Sequence, residues 1–300
     1  MTSLLGALST AGAVVACIFV LTVYGYLFSR VVNRHPTTFS ISLLGYPYTG
    51  KTVYLTTLFD LLQRASAPGI RFSPYGRETI EQVADNLMAL YSGKWLPPTP
   101  AGTVFFYRAN ATIGVGFGRS RYKVEIGDYA GEQIGELNPV DVRWLHKSDY
   151  FKYVIQSDGI MLMVDSSMLA SGDPARIEEA QNGFIAAFQI LAEEKGAVDN
   201  RRLRAPVALM FMKTDLLSPS EPEHLKEHFS RLVEVCEARC LRFRTFFVSS
   251  TGPLADGCPP RALRGDGVVD PLIWMLRNAP SGESPGSVVL GLLSPFVRRV

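Results

Sequence analysis

The sequence predicts an α/β domain with a doubly wound, mainly parallel sheet, preceded by one apolar helix. Three observations carry that expectation. Gly159–Val164 (GIMLMV) and Val207–Met212 (VALMFM) are unbroken apolar runs, the composition of parallel strands covered on both faces. Segments with helical spacing of apolar residues alternate with such runs along the chain. None of the 30 Lys+Arg or 28 Asp+Glu falls in Met1–Ser29, so that stretch stands apart from everything after it.

Composition excludes several classes. With 47% hydrophobic and 19% charged residues the chain is not disordered. A net charge of +2 leaves no basic footprint for nucleic acid. Cys17, Cys236, Cys240 and Cys258 are too few and too scattered for a disulfide framework, and they suit a reducing compartment.

The elements follow in order. Leu4–Phe28 is apolar and is followed at once by Arg30 and Arg34. Roughly 20 residues at about 1.5 Å each cross a hydrocarbon core of about 30 Å. No basic residue precedes the run, which argues against a cleaved signal peptide. Basic residues after it predict a single-pass signal anchor, residues 1–29, with the N-terminus outside and the rest cytoplasmic. A basic linker, 30–38, leads to the strand Phe39–Leu44 and the helix Thr52–Arg64. An insert, 65–102, holds the amphipathic helix Glu78–Tyr91 and the proline-rich Trp95–Thr103, which neither helix nor central strand accommodates. Val104–Thr112 and Arg121–Ile126 read as strands joined by the glycine-rich Gly114–Gly118. Helices are expected at Pro174–Lys195, Glu221–Cys240 and Val268–Arg277, with a strand at Arg244–Val248. The main domain is bounded at 39–279, and a tail, 280–300, ends it. The apolar stretch Val288–Val297 of that tail suits membrane-surface contact or partner docking equally.

Gly45-Tyr-Pro-Tyr-Thr-Gly-Lys-Thr52 fits G-x-x-x-x-G-K-[ST] at the required place, between a strand and a helix. Such a loop turns successive backbone N–H groups toward phosphate oxygens and adds the positive end of a helix. Gly45, Tyr46, Pro47, Tyr48, Thr49, Gly50, Lys51, Thr52 and Val53 are therefore the expected phosphate-binding residues. Lys51 would reach the terminal phosphates and Thr52 would ligate Mg²⁺. Asp128, near a strand end, is the second candidate on the metal side, and Gly131 can bring its N–H to the γ-phosphate. Lys213-Thr-Asp215 follows the strand Val207–Met212. The Asp215 carboxylate there can accept two hydrogen bonds from guanine, which adenine cannot offer, while Lys213 covers the base. Ser249 and Ser250, after the next strand, can offer backbone N–H groups to the guanine carbonyl.

In this order, GYPYTGKT, DYAGE, MKTD and SST resemble the first, third, fourth and fifth motifs of the translation-factor and Ras-like (TRAFAC) class of P-loop GTPases, over Phe39–Ala279. The layout is similar to the β subunit of the eukaryotic signal-recognition-particle receptor. The wording around GYPYTGKTVYLTTL and DYAGE resembles membrane-associated bacterial GTPases of the double-GTPase type. The resemblance implies GTP/GDP as ligand, Mg²⁺ as cofactor, and a protein effector or activator at the membrane. It implies a switch threonine before the second strand, for which Thr99 and Thr103 are both candidates. Departures matter too. Met212 stands where the fourth motif normally begins with Asn or Thr. Glu132, with Gln133 beside it, stands where Ras-like members use a glutamine to orient water, so slow hydrolysis is expected. A pseudo-GTPase that holds nucleotide without turnover is the alternative.

Other signals are declined. In Glu221–Cys240 read as one helix, His224, His228, Cys236 and Cys240 spread too far along the axis to share one ion. Gly114-x-Gly-x-Gly118 sits between strands rather than opening a helix, so a dinucleotide site is not expected. Arg119 and Arg121 read as surface charge rather than a finger on the phosphates.

Overall fold

The computed structural model describes residues 16–26, 36–64, 69–100, 104–114, 119–129, 149–170, 173–197, 201–217, 221–254, 257–260 and 262–279. Seven strands form one sheet: β1 (Thr37–Gly45), β2 (Ile70–Pro74), β3 (Val104–Ile113), β4 (Ser120–Tyr129), β5 (Gly159–Asp165), β6 (Val207–Met212) and β7 (Phe243–Val248). Their order is β2-β3-β4-β1-β5-β6-β7. From β4 to β7 every pairing is parallel, whereas β2 and β3 run antiparallel at one edge. The expected architecture is therefore present, with strand boundaries shifted by a few residues. β1 begins at Thr37, inside the stretch read as linker.

The helices of eight residues or more are α1 (residues 16–26), α2 (Lys51–Arg64), α3 (Arg77–Tyr91), α4 (Asp149–Gln156), α5 (Pro174–Glu194), α6 (Glu221–His228), α7 (Ser230–Arg239) and α8 (Asp270–Arg277). Two cores flank the sheet. Ile160, Leu162 and Val164 of β5 and Val207, Leu209 and Phe211 of β6 pack with α5 and α7. The alternate residues Met161, Met163, Ala208, Met210 and Met212 join Tyr54, Leu55, Leu58 and Phe59 of α2 and Leu272 and Met275 of α8. A period of two on a strand with both faces covered is why the sequence runs read as continuously apolar.

Sequence reading missed β2 and α4. β2 is only five residues long, IRFSP, and ends in proline, so its place comes from pairing with β3 rather than from strand propensity. The single helix expected over Glu221–Cys240 is two, because Phe229 leaves helical geometry (φ −108°, ψ 25°) while burying its ring completely. Gln181 of α5 stitches the break. Its side-chain amide donates to the His228 carbonyl (3.4 Å), and its oxygen accepts from Leu232 N–H (3.1 Å).

α1 exposes Ile18, Phe19, Val20 and Leu21. Among the described residues no helix is long and apolar enough to cross a membrane. Residues 1–15 and 27–29 of the expected anchor lie outside them, as do residues 115–118 and the tail 280–300.

α4 is held at its C-terminus by Lys195, whose Nζ donates to the carbonyls of Ile155 (2.5 Å), Ser157 (2.6 Å) and Val154 (3.3 Å). Burial pushes the Lys195 ammonium down to about 8, against the pull of Asp158. The folded chain thus releases this proton at lower pH than the unfolded chain, so stability from this group rises as pH climbs from about 8 toward 10.5. Urea unfolding of wild type and Lys195→Met at pH 7.5 and pH 10 should show the wild type gaining relative to the variant at the higher pH. Parallel profiles would refute the assignment.

Candidate functional site

Gly45–Thr52 leaves the end of β1 and enters α2 in a single turn. A Cβ on Gly45 would come within 2.8 Å of the Met163 carbonyl on β5, so no larger residue fits. Gly50 (φ +91°) and the exposed Tyr48 (φ +62°) adopt left-handed backbone and close the loop. The Tyr46 carbonyl is its hub, accepting from the Thr49 hydroxyl (2.6 Å) and from Lys51 Nζ (2.9 Å). Lys51 Nζ also donates to the Gly45 carbonyl at 2.9 Å. The first turn of α2 carries no acidic side chain, so its positive end is unopposed within the helix.

Beside the loop, the Thr52 hydroxyl donates to Asp128 Oδ2 (2.8 Å) and lies 3.2 Å from the Thr99 hydroxyl. Asp128 is 1% exposed, and its Oδ1 has no hydrogen-bond partner among the described residues. Burial raises its carboxyl to about 6, opposed by the Thr52 hydrogen bond and by Lys51. Burial lowers Lys51 to about 8, opposed by Asp128. A buried carboxylate oxygen without a partner, set against two hydroxyls, is a hard-oxygen donor set that fits Mg²⁺. Of the two switch-threonine candidates, Thr99 is brought to Thr52, while Thr103 lies outside the described residues. So do Gly131, Glu132 and Gln133.

A cavity of about 390 Å³ opens in front of these groups. Pro47–Val53 form one wall, and Met212, Lys213, Asp215, Ser250 and Thr251 form another. Gly45 and Tyr46 lie behind the loop and do not line it. Ser249 does not line it either, because its N–H and C=O both pair with Asp266 (3.0 and 2.8 Å). Met212 is buried, and its carbonyl accepts from Ser166 N–H at 3.0 Å. Lys213 adopts left-handed backbone (φ 60°), and its Nζ pairs with Asp165 Oδ2 at 2.5 Å. Asp165 also accepts from the N–H (3.0 Å) and hydroxyl (2.6 Å) of Ser167. Sequence reading overlooked Asp165, although a carboxylate closing an apolar strand is a readable signal.

The family model for double-GTPase 2 matches residues 40–269, the span that holds all of these groups. The chain belongs to the double-GTPase 2 family. Its described domain is thus a guanine-nucleotide-binding P-loop fold of GTPase type. No curated protein has a significant sequence match to the chain. Among solved structures, the Arl6 small GTPase of Trypanosoma brucei with a bound nucleotide analogue is similar at 15% identity and a TM-score of 0.45, over 82% of this chain and 100% of that one.

In this double-GTPase 2 chain the proline-rich stretch of the insert becomes a wall of the cavity, through Trp95, Leu96, Pro97, Pro98 and Thr99. It is tied at both ends. The Trp95 indole N–H donates to the Gly257 carbonyl (2.9 Å), and Thr99 meets Thr52. The prolines and the candidate Thr99 were legible in advance; the role of Trp95 depends on a partner 162 residues away in sequence.

Elsewhere His224 engages Glu227 (3.1 Å), and Cys236 and Cys240 are buried, with burial pushing both thiols up and so away from the reactive thiolate.

Lys51→Ala removes the ammonium that bridges two loop carbonyls and faces the cavity. Nucleotide affinity should fall by about 100-fold or more, since charge-assisted contacts to phosphate are the strong ones. Titration with a fluorescent guanine nucleotide measures this, and unchanged binding would undo the phosphate-loop assignment.

Proposed function

We propose that this chain is a membrane-anchored GTP-binding switch that binds and slowly hydrolyses GTP with Mg²⁺ and recruits a protein partner at the cytoplasmic membrane face. One observation carries the reading: Thr52 meets both Thr99 and the buried Asp128, and Thr52, Thr99 and Lys51 line the same cavity as Lys213 and Asp215. Thr99 belongs to the insert and Asp128 to the end of β4, so a ligand engaging both would order segments that hydrolysis then releases.

The chain's own groups have definite tasks in this reading. Lys51 exchanges two carbonyl partners for phosphate oxygens. Asp128, ionised, and the hydroxyls of Thr52 and Thr99 would hold the metal, which would offset charge on the terminal phosphates. Asp215 accepts from guanine, and Lys213 gives up Asp165 to cover the base. Water attacks the γ-phosphorus in line, the bond to the β-bridging oxygen breaks, and GDP and inorganic phosphate leave. Glu132 and Gln133 orient that water, and the carboxylate of Glu132 repels the phosphate, which makes turnover slow. The uncharged residues 1–29 and the apolar exposure of α1 support the anchor, with Arg30 and Arg34 on the cytoplasmic side.

The buried apolar Met212 at the head of the fourth motif, together with Glu132, favours a second reading, a pseudo-GTPase that holds nucleotide and recruits its partner without turnover. Full-length protein in detergent should bind GTP and GDP at least about tenfold more tightly than ATP and release phosphate slowly over many turnovers. Equal affinity for ATP sinks the guanine assignment, and tight GTP binding without release selects the pseudo-enzyme. An N-terminal tag on intact cells should react with an impermeant label, and a protected tag contradicts the orientation.

A further inference from the structure

Glycine is among the poorest residues for a helix interior, yet Gly183 sits midway along the 21-residue helix α5. The reason lies in the phosphate loop. Tyr46 reaches back from that loop onto α5, where its ring meets Phe184 edge-on at 5.1 Å between centroids. Its hydroxyl lies against the Gly183 backbone, so that a Cβ on residue 183 would fall 2.1 Å from Tyr46 Oη but 3.4 Å from Cζ. The first distance is impossible; the second is ordinary contact. Burial, and then the charge of Glu179 one turn before Gly183, push the Tyr46 phenol up from its ordinary value. The backbone of the same tyrosine carries the carbonyl that receives both the Thr49 hydroxyl and Lys51 Nζ.

We infer that Gly183 is a positioning residue for the phosphate loop: the notch it leaves in α5 seats the Tyr46 ring, and the seated ring holds the Tyr46 carbonyl where it fixes Lys51. The inference rests on the nucleotide-binding reading for its functional consequence, but the seat itself is a property of the chain alone. It also gives the second residue of the loop, which that reading leaves behind the cavity, a defined task. The phosphate loop is then gripped from both faces of the sheet, by Met163 against Gly45 and by α5 against Tyr46.

The test is a double-mutant cycle in the full-length chain, with Gly183→Ala, Tyr46→Phe and the pair. Without nucleotide, Gly183→Ala should lower the melting temperature in the wild-type background. In the Tyr46→Phe background the same change should raise it, because the clash is gone and alanine is the better helix former. With GTP, Gly183→Ala should bind on the order of fivefold or more weakly than wild type, and the pair should bind more tightly than Gly183→Ala alone. A higher melting temperature for Gly183→Ala alone overturns the seat. Seat behaviour in the melting cycle with unchanged GTP affinity in Gly183→Ala overturns the positioning role. A wild-type chain that binds no GTP refutes the nucleotide reading instead, and the nucleotide-free melting cycle still decides the seat.

Discussion

The hydrogen bond from Thr52 to Asp128 is the contact on which the rest of the site depends. A carboxylate 1% exposed is costly to keep ionised, and a single hydroxyl together with the nearby Lys51 cannot satisfy it fully. One oxygen is held and the other has no partner among the described residues. Thr52 lies in the first turn of α2 and Asp128 next to the end of β4, so the bond ties the start of the first domain helix to a strand beside β1. Thr99 then joins the same hydroxyl and draws the proline-rich part of the insert over the cavity.

Parallel pairing is what brings these groups together. Gly45, Asp128, Asp165, Met212 and Val248 all lie at or next to the carboxyl ends of parallel strands, which the ladder aligns along one edge of the sheet. Those ends and the loops that leave them supply the Gly45–Thr52 turn, the buried Asp128, Asp165 as the Lys213 partner and the Ser250 wall. That is where open α/β sheets bind ligands, because all helices must return on the faces and leave this edge clear. Two cores, one on each face, keep the strands in register, and Gly45 and Gly183 are two of the places where packing leaves no room for a side chain.

Much of the fold was legible because the central strands are buried on both sides and the longer helices packed on the sheet on one. Apolar runs and helical spacing are local signatures of that burial. β2 was not legible, since a short edge strand owes its form to β3 rather than to its own residues. The break at Phe229 was hidden as well, because helical spacing continues through it and Gln181, which satisfies backbone groups there, comes from α5.

For the site the division is similar. The phosphate loop, Asp128, Lys213 and Asp215 could be named from sequence because backbone geometry and hydrogen-bond chemistry demand those residue types at those local spacings. What only the tertiary structure decided were the contacts between distant segments: Thr99 against Thr52, Trp95 against Gly257, Lys213 against Asp165, and Tyr46 in the notch of Gly183. A pattern along the chain records what each residue can offer. Which offers meet is set by the packing of the sheet's two faces, and that packing is non-local.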